Sequence, residues 1–80
     1  MIVYVFTSPT CAPCKDVKEV WELLQEEYQC EWKTCELGSK EAVHFNVTKV
    51  PTMVVVGDTT VKQHSGTNYH GYWSLLRYAT

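Results

Sequence analysis

Cys11 and Cys14 stand three positions apart in Thr10-Cys11-Ala12-Pro13-Cys14-Lys15, between an apolar run, Ile2-Val3-Tyr4-Val5-Phe6, and a long amphipathic pattern of helical period. A thiol at the start of a helix lies at the positive end of the backbone dipole, where thiolate is favoured, and a second thiol one turn on is within its reach. Such a pair either cycles between dithiol and disulfide or supplies half of a zinc site. The other half would come from Cys30 and Cys35. If residues 30–35 are extended, five steps of about 3.3 Å hold those two Cα atoms roughly 16 Å apart, too far for a shared metal or a disulfide. The dithiol reading leads, with the zinc half-site as its alternative, and Cys30 and Cys35 are read as individual thiols open to oxidation or glutathionylation.

An 80-residue chain with 45% hydrophobic and 20% charged residues has room for one domain, residues 1–80, with one modest core. Its net charge of −2 offers no basic face to a phosphate backbone, so nucleic acid is not an expected partner. No run approaches the roughly 20 apolar residues of a membrane span, and the N-terminus lacks a basic segment leading into an apolar signal core. A cytoplasmic monomer without a membrane partner is expected.

The elements that must position the thiols follow from periodicity. Residues 2–6 are β-branched or aromatic throughout, as in a central strand buried on both faces. Val17, Val20, Trp21, Leu24 and Tyr28 recur at helical spacing, and Pro13 fits that helix's first turn, where a missing N–H costs nothing. Cys14 shares this apolar stripe and should point inward, whereas Cys11 precedes it and stays accessible. Cys11 is thus the attacking thiolate and Cys14 the thiol that resolves the mixed disulfide. A strand is predicted over Glu31 to Leu37, then a short helix capped by Ser39 and running through Ala42, Val43 and Phe45. Thr52 to Val56, Gly57-Asp58 and Thr59 to His64 read as a hairpin with a two-residue turn. A last helix, capped by Thr67 or Asn68, carries Tyr72, Leu75, Leu76 and Ala79, with Gly71 weakening its first turn. The order is β-α-β-α-β-β-α: an α/β fold whose four-stranded mixed sheet is flanked by three helices.

Phe6, Cys11-Ala12-Pro13-Cys14-Lys15, Val50-Pro51-Thr52 and Gly66, in that order, resemble the landmarks of the thioredoxin and glutaredoxin superfamily. The resemblance implies a thioredoxin fold, catalytic Cys11 and Cys14, and a substrate-binding surface made of Thr10, Ala12, Pro13, Val50, Pro51 and Gly66. It implies that Pro51 is cis and faces the dithiol, and that the backbone of Val50 pairs with an incoming peptide. Chain length is similar to glutaredoxins, yet Ala12-Pro13 and Val50-Pro51-Thr52 are closer to thioredoxins. Ser8 stands where glutaredoxins carry a basic glutathione-binding residue, and Ser65-Gly66-Thr67-Asn68 replaces their Gly-Gly and acidic pair. The small, thioredoxin-like redoxins that donate electrons to ribonucleotide reductase combine both sets of features, including a Ser-Gly segment like Ser65-Gly66.

That branch implies no bound cofactor or metal, a redox-active Cys11-Cys14 disulfide, and electrons from NADPH through a thioredoxin-reductase-like flavoprotein. Disulfide-containing proteins, ribonucleotide reductase among them, are the implied substrates. A glutathione-dependent glutaredoxin and a non-enzymatic binding partner are the alternatives. Thr10 and Val5 replace the tryptophan and buried aspartate of ordinary thioredoxins, so water or the outgoing thiolate is expected to take the proton of Cys14. With no histidine or second cation between the cysteines, the expected potential is near the about −270 mV of thioredoxin. His44, His64 and His70 are too scattered for a metal site, and 80 residues leave little room for the cleft of a cysteine hydrolase.

Overall fold

The computed structural model describes residues 1–79. The expected element order is present: β1 (Ile2–Thr7), α1 (Ala12–Glu27), β2 (Glu31–Glu36), α2 (Lys40–His44), β3 (Thr52–Val56), β4 (Val61–Ser65) and α3 (Tyr69–Ala79). The four strands form one mixed sheet in the order β2-β1-β3-β4. β1 is parallel to β2 and antiparallel to β3, and β3 is antiparallel to β4. β1 is therefore central, as its apolar run predicts.

Period-two alternation sends the inner strands' side chains to two cores. Val3, Val5, Met53 and Val55 meet Val17, Trp21 and Leu24 of α1 and Tyr72 and Leu76 of α3 on one face. Phe6 and Val54 meet Cys35, Ala42 of α2 and Val47 on the other. The two helices of the first face touch where the rings of Trp21 and Tyr72 meet edge to face, 5.7 Å apart. Ser39 caps α2 as expected, its Oγ accepting the Ala42 N–H at 3.3 Å. α3 starts directly after Asn68, whose carbonyl accepts the Gly71 N–H at 3.2 Å.

The hairpin departs from the sequence prediction. β4 begins at Val61 rather than Thr59, Val56 pairs with Val61, and Gly57 donates its N–H to the Thr60 carbonyl at 2.8 Å across a four-residue loop. A two-residue turn would place Thr52 opposite Gln63. The longer loop slides β4 by two residues, which keeps its faces and sets Ser65 opposite Thr52 and His64 opposite Met53. Bonds at the far end of the strands decide this register, and the turn residues alone do not reveal them.

Gly71 has a reason to lack a side chain, since a Cβ there would fall inside the His64 imidazole. That ring stacks edge-on against Tyr72 at 4.6 Å and its Nε2 lies 3.0 Å from the Asn68 carbonyl. Gly71→Ala is expected to destabilise the protein by roughly 1–3 kcal/mol through overpacking, despite the better helix propensity of alanine. In a His64→Ala background the same change should instead stabilise by up to about 1 kcal/mol. Urea unfolding of the four proteins in the cycle reads both signs, and equal effects in the two backgrounds would discard this account.

Candidate active site

β1 ends at Thr7, and a loop held by its own short polar groups turns the chain into α1. The Ser8 hydroxyl accepts the Thr10 N–H at 3.4 Å and bonds the Thr10 hydroxyl at 3.2 Å, while the Ser8 carbonyl accepts the Cys11 N–H at 3.1 Å. Cys11 becomes the N-cap residue of the 16-residue α1, in extended conformation and making no side-chain capping bond. Its sulfur is free for chemistry at the helix's positive end, with no acidic residue in the first turn to oppose a thiolate. Cys14, one turn on, is bonded to it as a disulfide with the Cα atoms 5.4 Å apart. Cys14 is only 5% exposed, whereas Cys11 is partly exposed and Ala12 and Pro13 are exposed.

Strand register brings two more loops to this end of the sheet. Phe6 pairs with Thr52 and Thr52 with Ser65, so Pro51 and Gly66 lie beside the exit of β1. The Val50–Pro51 peptide is cis. The Pro51 carbonyl accepts the Gly66 N–H at 3.0 Å and the Tyr72 hydroxyl at 3.3 Å, and the same hydroxyl bonds the Gly66 carbonyl. Thr52 Oγ1 donates to the Lys49 carbonyl at 2.7 Å; its one proton spent, it accepts from the Ser65 hydroxyl at 2.9 Å. Tyr72 is fully buried, and desolvation pushes the pKa of its hydroxyl far above the usual tyrosine value, so it remains a donor. Among the described residues, the backbone N–H and C=O of Val50 make no hydrogen bond.

Tyr72, Thr52 and Ser65 escaped the sequence reading as site residues. A tyrosine on a buried helix stripe signals a hydroxyl needing an acceptor, but nothing local names the Pro51 and Gly66 carbonyls as those acceptors.

Behind the disulfide, a cavity of about 370 Å³ opens between α1, β1 and β2. Val5, Thr34 and Trp21 line it together with both cysteines, and Lys15, Lys18 and Glu22 supply its charges. The other thiols lie apart from it. Cys35 is buried and donates to Glu41 Oε2 at 3.5 Å; burial, and then this carboxylate, push its pKa up to about 11. Burial also raises that of Cys30. No cluster of three or more metal-ligating side chains occurs among the described residues.

A family model described as Thioredoxin matches residues 1–73. The structure is similar to Fasciola hepatica thioredoxin, with a TM-score of 0.85 and 25% identity over 99% of this chain and 80% of that one. Mitochondrial thioredoxin 3 of Saccharomyces cerevisiae gives 0.83 and 22% identity, over 95% and 76% of the respective chains. A thioredoxin f2 solved in complex with ferredoxin:thioredoxin reductase gives 0.85 and 22%, over 98% and 76%. No curated protein matches the sequence significantly.

Cys35 is expected to resist alkylation. With a pKa of about 11 its thiolate is scarce at pH 8, so iodoacetamide should label it roughly 200-fold more slowly than a free thiol of pKa about 8.5. Because the folded state holds the neutral thiol, the stabilisation is complete below the unfolded value of 9.0 and is lost as pH rises through about 11. Labelling at the free-thiol rate in folded protein would contradict this. Tyr72→Phe removes the bonds to Pro51 and Gly66 and should cost about 1 kcal/mol of stability. It is also expected to raise the KM for a protein disulfide several-fold while leaving the alkylation rate of reduced Cys11 unchanged. A purely structural Tyr72 would leave KM untouched.

Proposed function

The chain belongs to the thioredoxin family and has the thioredoxin fold, and we propose on that premise that it reduces protein disulfides as electron donor to a reductase such as ribonucleotide reductase. It is a thiol–disulfide oxidoreductase with a redox-active Cys11–Cys14 pair. The unequal exposure of the two bonded sulfurs at the start of α1 carries the proposal. In the reduced protein the Cys11 thiolate attacks one sulfur of the target disulfide and expels the other as a thiolate. Cys14 then attacks Cys11 Sγ, breaks the mixed disulfide and releases the second target sulfur. Two electrons pass to the target, whose released sulfurs take up two protons, the one lost by Cys14 and one from solvent.

Val50, with its unused backbone groups beside cis Pro51, is the proposed docking edge for the target peptide, flanked by Thr10, Ala12, Pro13 and Gly66. Buried Val5 offers no base to Cys14, so its proton goes to water in the adjoining cavity or to the leaving thiolate. Recharging needs two electrons from outside the chain, and a thioredoxin-reductase-like flavoprotein drawing on NADPH in the cytoplasm is the proposed source. The complex of the similar thioredoxin f2 with ferredoxin:thioredoxin reductase supports a reductase as partner.

With NADPH and a thioredoxin reductase the protein should sustain insulin reduction and deoxyribonucleotide synthesis by ribonucleotide reductase. Cys11→Ser should abolish both, and Cys14→Ser should accumulate a mixed disulfide with the target. Turnover with glutathione and none with the reductase would replace this reading by the glutaredoxin one. Unchanged biological activity after serine replacement of both cysteines would favour a binding module.

A further inference from the structure

His64 lies on β4 two residues before Gly66, and its place opposite Met53 turns its side chain to the face that α3 packs against. There the imidazole fills the notch at Gly71, where a Cβ would overlap the ring, and stands edge-on to the Tyr72 ring with centroids 4.6 Å apart. A carbonyl can only accept, so the 3.0 Å contact between His64 Nε2 and the Asn68 carbonyl assigns the ring proton to Nε2. The same carbonyl accepts the Gly71 N–H at 3.2 Å. Two donors thus hold the point at which the chain leaves the Gly66 loop for α3. The Tyr72 ring, in contact with both His64 and Trp21, carries the hydroxyl that reaches the Pro51 and Gly66 carbonyls. A hydroxyl shared between two carbonyls tolerates little displacement of its ring.

We propose that His64 is a positioning residue for target binding, acting through Tyr72 and Asn68. Its ring fixes where the Tyr72 hydroxyl stands, its Nε2–H closes the loop from Gly66 to Asn68, and together these hold the Val50–Pro51 edge and the Gly66 backbone at one spacing. The assignment rests on the docking edge proposed above and names what sets its geometry. It also separates two classes of substrate. A protein disulfide lays its backbone along that edge and feels the spacing, whereas a small disulfide meets only the Cys11 sulfur. His64 thereby acts on how tightly a target docks and not on the thiol chemistry. Glycine at position 71 is then a requirement of the site as well as of packing, because only its empty notch admits the ring.

The test follows NADPH consumption with excess thioredoxin reductase while insulin is varied, and repeats the measurement with 2-hydroxyethyl disulfide, a small neutral reagent. His64→Ala should raise the KM for insulin about fivefold, the loss expected from one hydrogen bond, and leave kcat and the rate with the small disulfide unchanged. Gly71→Ala in the His64→Ala background separates positioning from stability, since the added methyl group recovers stability while KM should stay raised. The Gly66 N–H, bonded to the Pro51 carbonyl, should exchange with solvent severalfold faster in that double variant, and the amides of β2 should not. Val56→Ala, at the far end of β3, should lower stability and leave KM at the wild-type value. Nitrogen-15 NMR at alkaline pH should find the neutral His64 ring protonated on Nε2. A KM that returns with stability in the double variant, an equal rise in Val56→Ala, an equal loss with the small disulfide, or a proton on Nδ1 overturns the proposal. If wild-type protein reduces no insulin, the reductase reading itself fails; wild-type turnover with an unchanged KM in His64→Ala removes only the role of His64.

Discussion

Strand β1 is hydrogen-bonded on both edges and packed on both faces, and the site hangs from its C-terminal end. Its pairing with antiparallel β3 fixes which residues stand beside the point where the chain leaves the sheet for α1. Because Phe6 faces Thr52, and Thr52 faces Ser65, the dithiol loop, the cis-proline loop and the Gly66 loop share one end of the sheet. A slip of one residue would send every side chain of the moving strand to the opposite core, so the two apolar cores hold this convergence in place.

Within that frame the two cysteines receive different environments from one helix. Cys11, at the cap, has the dipole and partial access to solvent; Cys14, on the buried stripe, has neither an acid partner nor an open route except the cavity behind it. The cis-proline side is braced from below. The Tyr72 hydroxyl binds the carbonyls of two loops at once, and the Thr52–Ser65 pair ties the strands that bear them. Interior bonds of this kind are worth more than exposed ones, since no water competes for the partners. Precision at Val50–Pro51 therefore depends on a helix at the far end of the chain. His64 joins the same assembly by occupying the space that Gly71 leaves empty.

Where the thioredoxin resemblance implies a buried aspartate this chain has Val5, and the cavity beside it is lined by Lys15 and Lys18, which make no ion pair among the described residues. Lysines at exposed positions keep their charge without the desolvation penalty of a buried ion.

Most of the architecture was legible in the residues themselves. Helical spacing of Val17, Val20, Trp21 and Leu24 set the face of α1, and with it which cysteine would be buried, because periodicity is a local property that burial simply reads out. The unbroken apolar run at residues 2–6 marked the central strand for the same reason. Tertiary structure alone decided the β4 register, the partners of the Tyr72 hydroxyl, the need for glycine at position 71 and the cavity between α1, β1 and β2. Each of these joins residues remote in sequence, and the bond or void that results depends on distances no local pattern encodes.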